Sequence, residues 1–239
     1  MTQNCWDIFH AVVAETPRIL LHGAPGTGKS YMAARAGVIE NRIVYAVTLT
    51  EEMPSAELRG HYVPHKQDFI WQDGPAIAAW RNGARLVLNE IDKASGDCLT
   101  FLMAILDDPD TTMITLPTGE TVRPTNGFTI IATMNGNPGS DLPQPLRDRF
   151  PVCIEINEVH PQALAQLPED LRMVVRNTTL VEDSARRMSI RVWLEFVKLR
   201  TMTNNDIASA ACFGKRSGDV LAALKIAGVT NPETSKKRK

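Results

Sequence analysis

The sequence predicts an α/β fold, an αβα sandwich on a mostly parallel sheet followed by a small all-helical lid, and three observations carry that prediction. Short apolar runs recur at Ile19 to Leu21, Ile43 to Val47, Leu86 to Leu88, Phe128 to Ala132 and Val152 to Ile156, separated by helix-compatible or turn-rich chain, which is the cadence of parallel strands. The first run leads directly into Gly23-Ala24-Pro25-Gly26-Thr27-Gly28-Lys29-Ser30, a glycine-rich turn from strand to helix. After Ile156 the strand pattern stops and only helical spacing remains.

Taken in order, Trp6 to Val13 carries apolar residues at helical spacing, and Pro17 breaks the chain before the first strand. Between the second and third strands, residues 60–72 hold two β-prone pieces around a polar turn, read as an inserted hairpin. Gly74-Pro75 opens a helix through Trp80, with Gly83 beyond its end. Met113 to Leu116 and Glu120 to Arg123 flank Pro117-Thr118-Gly119 as a second hairpin. The expected helices of the lid are Pro161 to Leu167, Leu171 to Arg176, Ser184 to Arg200, Asp206 to Phe213 and Asp219 to Ala227, closed by Gly228. The organisation read from this pass is a nucleotide-binding domain over 1–157, a helical lid over 158–228 and a basic, disordered tail over 229–239.

Charge narrows the function classes. The 239 residues hold 26 basic and 27 acidic side chains, a formal net charge of −1, so no global electrostatic footprint for nucleic acid or an acidic membrane exists. Cys5, Cys98, Cys153 and Cys212 are scattered without metal-ligand spacing or a disulfide framework. With no leader-like start and no apolar stretch of bilayer length, the expectation is a soluble, cytoplasmic protein without membrane insertion.

The chemistry-bearing residues begin with Gly23 to Ser30. Its glycines let backbone N–H groups wrap phosphate oxygens at a helix N-terminus, Lys29 reaches the outer phosphates, and the Ser30 hydroxyl suits Mg²⁺. This is the P-loop pattern, so ATP and Mg²⁺ are the expected ligands. A second phosphate-site element is an apolar strand ending in acids, and Leu86-Val87-Leu88-Asn89-Glu90-Ile91-Asp92 has that form. Glu90 is the candidate for polarising the attacking water. P-loop ATPases usually place Asp where this chain has Asn89; an amide oxygen still accepts from a magnesium-bound water but adds no negative charge. Asp92 is close enough in sequence to compensate. The competing reading has Glu90 and Asp92 capping the next helix.

Two further elements follow in order, Thr129 to Thr133 leading into Met134-Asn135, then Pro143-Gln144-Pro145-Leu146-Arg147-Asp148-Arg149-Phe150. With Glu57-Leu58-Arg59-Gly60, Asp73-Gly74-Pro75 and Asn89 to Ala94, these residues make the chain resemble the MoxR-like, helix-insert branch of AAA+ ATPases over nearly its whole length. That resemblance implies that Asn135 is a sensor orienting the attacking water. It implies that Arg149, with Arg147 as the alternative, is an arginine finger entering a neighbouring subunit's site. It also implies that Arg191, in Met188-Ser189-Ile190-Arg191, contacts phosphate from the lid, although Arg186, Arg187 and Arg200 share that segment. The inserted hairpin falls where this branch faces the ring's pore or top surface. Its Tyr62, Phe69 and Trp71 either touch a partner or form a cluster holding the hairpin together.

The function implied is an ATP-hydrolysing, Mg²⁺-dependent homo-oligomer, a hexameric ring, that remodels, activates or assembles a protein client, such as one with a von Willebrand factor A domain. Two alternatives stand beside it. One is a nucleic-acid motor or loader, which the neutral charge disfavours. The other is a slow-hydrolysing nucleotide-dependent scaffold, motivated by Asn89.

Overall fold

The computed structural model describes residues 4–38, 43–181 and 187–231. Cα proximity divides the chain into two compact units. The first takes the chain up to Gly23 together with Lys29–Ile156, and the second takes Ala24–Gly28 with the chain from Asn157 on.

In the first unit α1 (Cys5–Val12) precedes β1 (Arg18–Gly23), followed by α2 (Lys29–Arg35), β2 (Val44–Thr48), α3 (Ser55–Arg59), β3 (Gly60–His65) and β4 (Asp68–Asp73). Then come α4 (Pro75–Asn82), β5 (Arg85–Asn89), α5 (Gly96–Ile105), β6 (Ile114–Thr115), β7 (Thr121–Val122), β8 (Thr129–Thr133), α6 (Pro138–Asp141), α7 (Gln144–Arg147) and β9 (Val152–Ile156). Five strands form one sheet in the order β2-β5-β8-β1-β9, and every neighbouring pair is parallel. Successive side chains on a strand point to opposite faces, and both faces are covered. Leu20, Leu88 and Ala132 pack with Leu58, Trp80 and Leu102 on one side. Ile19, Leu21, Val87 and Ile131 pack with Trp6, Phe9 and Met32 on the other. Burial on both faces explains why these strands read as unbroken apolar runs instead of alternating ones. The αβα sandwich is therefore as the sequence indicates.

Local chemistry fixes the helix starts. Asn4 caps α1 by accepting the Trp6 N–H at 2.8 Å, and Ser95 caps α5 by accepting that of Cys98 at 3.1 Å. Pro75 occupies the first turn of α4, where a missing N–H costs nothing. The strands β3 and β4 form the expected antiparallel hairpin, with Tyr62 opposite Trp71 and Pro64 opposite Phe69. The Tyr62 and Trp71 rings meet edge to face at 5.4 Å, and Trp71 Nε1 donates to Asp73 at 2.6 Å. Phe69 is left 70% exposed near the turn. Thus two of the three hairpin aromatics form the cluster and the third faces solvent. A second short hairpin pairs β6 with β7.

The second unit holds α8 (Pro161–Ala165), α9 (Glu169–Thr179), α10 (Ile190–Met202), α11 (Asn205–Phe213) and α12 (Ser217–Ile226). Trp193, Phe196 and Phe213 form an aromatic triangle with centroids 4.8 to 5.7 Å apart, each pair contributing about 0.5–1.5 kcal/mol beyond burial. Trp193 Nε1 donates to Thr178 at 3.1 Å, so the buried indole is satisfied. The helix expected from Ser184 begins instead at Ile190. Ser189 is extended, the Met188 N–H bonds the Thr178 carbonyl at 3.0 Å, and Arg187 Nε bonds the Val181 carbonyl at 3.0 Å. These bonds take the backbone away from helix before Ile190. Arg186, the stretch 182–186 and the basic residues of the tail lie outside the described residues. Among the described residues no helix is long and apolar enough to cross a membrane.

Candidate functional site

The phosphate-loop residues fall in both units, and each part has its own geometry. In the first unit β1 ends at Gly23, whose φ is +126° and where a Cβ would lie 2.6 Å from the Ile156 carbonyl oxygen on β9. Only glycine fits that backbone. Lys29 opens α2 and is 5% exposed, unusually deep for a lysine. Its Nζ donates to the Gly23 carbonyl at 2.9 Å and to Asn135 Oδ1 at 3.1 Å. Asn135 itself is exposed, two residues past β8, and the intervening Met134 N–H is anchored to the Leu21 carbonyl at 3.0 Å. The structure thus places Lys29 and Asn135 together.

Glu90 follows β5 and is exposed, with φ 56° and ψ 50°. Among the described residues only Lys66 shares a positive φ without being glycine. Such a conformation costs energy and concentrates at functional positions. Its neighbour Asn89 is engaged within the sheet. Thr133 Oγ1 donates to Asn89 Oδ1 at 3.2 Å, and Asn89 Nδ2 donates to the Val47 carbonyl at 3.4 Å. Asn89 therefore stitches β2, β5 and β8, a job in which its N–H₂ group takes part and an Asp carboxylate could not. Asp92 lies in the short turn Ile91–Lys93 with its side chain 11% exposed, and its buried Oδ1 has no hydrogen-bond partner. Ser30 and Asp92 offer the oxygen ligands that Mg²⁺ prefers, and Asp92 Oδ1 has no bond to give up, whereas the Asn89 oxygen already accepts from Thr133.

The two arginines of Leu146-Arg147-Asp148-Arg149 are held by different anchors. Arg149 donates from Nε to the Met103 carbonyl at 3.0 Å, from one terminal nitrogen to the Pro145 carbonyl at 2.9 Å, and from the other to Asp107 at 3.3 Å. Asp107 is held below the usual carboxylate range, chiefly by the Asp108 N–H and then by Arg149. Arg147 donates to the carbonyls of Pro138 and Gly139 at 3.3 and 3.1 Å.

In the second unit Thr27 is fully buried, its hydroxyl donating to the Ala24 carbonyl at 3.1 Å and its carbonyl accepting the His160 N–H at 3.1 Å. A Cβ on Gly26 would fall 2.7 Å from Ser189 Cβ, so the loop runs against the start of α10. Arg191 is the second residue of that helix and is exposed.

A family model described as AAA domain (dynein-related subfamily) matches residues 18–150, more than half of the chain. The chain belongs to that family. Among curated proteins, Protein NorQ of Paracoccus denitrificans is 33% identical over 132 residues, 54% of this chain and 47% of NorQ, so the match spans about half the length of that relative. An uncharacterized protein of Staphylococcus epidermidis is 26% identical over 227 residues, 84% of each chain. Another, from Staphylococcus aureus, is 29% identical over 210 residues, covering 77% of this chain and 78% of that one. A solved structure from Cytophaga hutchinsonii overlaps with a TM-score of 0.48 at 15% identity, over 91% of this chain and 66% of that chain.

As an AAA+ protein of MoxR-like type, the chain has site neighbours that sequence reading passed over. His160 is buried beside the phosphate loop, its Nδ1 accepting the Gln162 N–H at 3.2 Å to cap α8. The signal was local, since His160 immediately precedes Pro161 at a helix start. His22 precedes Gly23, and burial keeps its imidazole below the ordinary value, against the opposing charge of Glu155 and a bond to the Gly136 backbone and with the help of Lys29. Nothing in the sequence pattern marks His22, because its partners come from β9 and the chain after β8.

Proposed function

We propose that this protein hydrolyses ATP in a ring of identical subunits and uses the cycle to remodel or activate a protein partner. The observation that carries the reading is the Lys29 ammonium held between the Gly23 carbonyl and the Asn135 amide oxygen. The bond sets a phosphate-binding lysine beside a water-orienting amide, and phosphoryl transfer depends on such groups being positioned around one phosphate. In this mechanism the loop N–H groups and Lys29 bind the phosphates, Glu90 accepts the proton of the attacking water, and Asn135 orients that water. A bound Mg²⁺, held by Ser30 with Asn89 and Asp92 near its water shell, would neutralise phosphate charge. Arg149 leaves its anchors to stabilise the transferring group in a neighbour's site, and Arg191 contacts phosphate from the lid. The 1–157 and 158–228 division gives the cycle its two moving parts. Resemblance to MoxR-like proteins supports the client role, including a partner with a von Willebrand factor A domain.

Phosphate release with and without Mg²⁺ tests the chemistry. Turnover by wild type that Glu90→Gln abolishes supports it, and equal turnover by both overturns it. Capturing partners on the Glu90→Gln form held with ATP tests the client. A slow scaffold is the second reading, favoured by the engagement of Asn89 with Thr133 and Val47. It wins if wild type and Glu90→Gln are equally silent when assembled.

A further inference from the structure

We propose that Arg147 acts inside its own subunit, as the positioning residue that holds the Asn135 loop, and is not a group offered to a neighbour. The inference rests on the ATPase reading above.

Helix α6 has four residues, too few to satisfy its own carbonyls. A continuing helix would give the Pro138 oxygen the N–H of Leu142 and the Gly139 oxygen that of residue 143. Leu142 is extended, with φ −119° and ψ 139°, and Pro143 has no N–H to give. Arg147 supplies the missing donor to both, at 3.3 and 3.1 Å. The other end of α6 is closed reciprocally. Asn137 Oδ1 accepts the Gly139 N–H at 2.8 Å, while the Asn137 N–H donates to Asp141 at 3.0 Å. Only Gly136 separates this closed turn from Asn135, whose amide oxygen lies 3.1 Å from Lys29 Nζ. Arg147 therefore fixes α6, and α6 fixes the point from which Asn135 reaches Lys29. Arg149 shares none of these anchors. It is tied to Met103, Pro145 and the exposed Asp107, a set that leaves the Asn135 loop untouched.

Subunit mixing separates the two arginines. Glu90→Gln subunits keep both arginines and lack a working site, whereas Arg147→Ala and Arg149→Ala subunits keep Glu90. A residue acting on a neighbour is complemented in mixed assemblies; one acting on its own site is not. The expected result is turnover above the sum of the parents for Arg149→Ala with Glu90→Gln, and no gain for Arg147→Ala with Glu90→Gln. Arg147→Ala alone should lower kcat by about ten- to a hundredfold, the scale of a misplaced reacting group, with the KM for ATP little changed. Arg147→Lys, which keeps a donor, should recover part of that loss. Complementation of Arg147→Ala, or unchanged kcat, overturns the inference. Failure of Arg149→Ala to complement overturns the shared-site reading instead. Hydrogen exchange without nucleotide gives a result independent of turnover: amides of Asn137, Gly139, Ser140 and Asp141 should exchange faster in Arg147→Ala, and unchanged rates there also overturn the inference.

Discussion

The Lys29 ammonium and the Asn135 amide oxygen, 106 positions apart in sequence, lie 3.1 Å from each other. The lysine is nearly buried, so what sits at position 135 decides whether its charge stays available for phosphate. Asn135→Asp would place a carboxylate against Lys29 and form a pair that competes with nucleotide, weakening ATP binding. Asn135→Ala puts no carboxylate against that charge and removes only the orienting amide. It should lower kcat by roughly a hundredfold, the cost of losing one preorganised polar group, with binding nearly unchanged. Nucleotide titration beside phosphate release distinguishes the two, and equal effects of both variants on binding would defeat the argument.

Both residues stand out in the sequence, Lys29 by its place in the glycine-rich loop and Asn135 by the family resemblance, but their pairing does not. Strands and P-loop are local signals: apolar runs such as Leu86 to Leu88, and glycines at fixed offsets from Lys29. The anchors of Asn89, Arg147 and Arg149 depend on which strands and turns become neighbours, and no spacing along one segment encodes that. The start of α10 departs from the helical spacing for a different reason. Helical spacing continues upstream of Ile190, while the extended Ser189 and the Met188 bond to Thr178 are set by packing of α9.

Asn89 has two partners that constrain what an Asp there would do. Asn89→Asp loses the donor to Val47 and keeps the acceptor for Thr133, adding negative charge at the end of β5. Half-maximal turnover should then need less Mg²⁺, while stability falls by about 1 kcal/mol, the usual cost of a lost hydrogen bond. Magnesium titration and urea unfolding measure the two effects. An unchanged Mg²⁺ requirement would mean that position 89 lies outside the metal's influence.

Arg81 joins the two hairpins. Its guanidinium grips Glu120 through two bonds of 2.6 and 2.7 Å and reaches Asp73, at the end of β4, at 2.6 Å. Arg81 holds the Glu120 carboxyl below its ordinary range. The network is partly exposed, so its loss should scarcely move the melting temperature. Arg81→Met should instead speed hydrogen exchange in both β3–β4 and β6–β7, and Glu120→Gln should affect mainly the second. Faster exchange confined to one hairpin in Arg81→Met would show that the two are not mechanically joined.

His22 gives the fold a pH dependence of definite sign. Burial, opposed by Glu155 and the Gly136 bond and assisted by Lys29, keeps the folded imidazole below its ordinary value of 6.5. In the unfolded chain the same group takes up a proton as pH falls through 6.5. Between that value and the lower folded one, the unfolded state binds more protons, so stability rises with pH across the window and is lost as pH falls. His22→Gln removes the titration while keeping a polar side chain at the end of β1. The urea midpoint of wild type should therefore drop more steeply than that of His22→Gln as pH is lowered through 6.5, the two curves running parallel above it. Parallel curves throughout would mean that the folded imidazole titrates at its ordinary value and that Lys29 and burial leave it unperturbed.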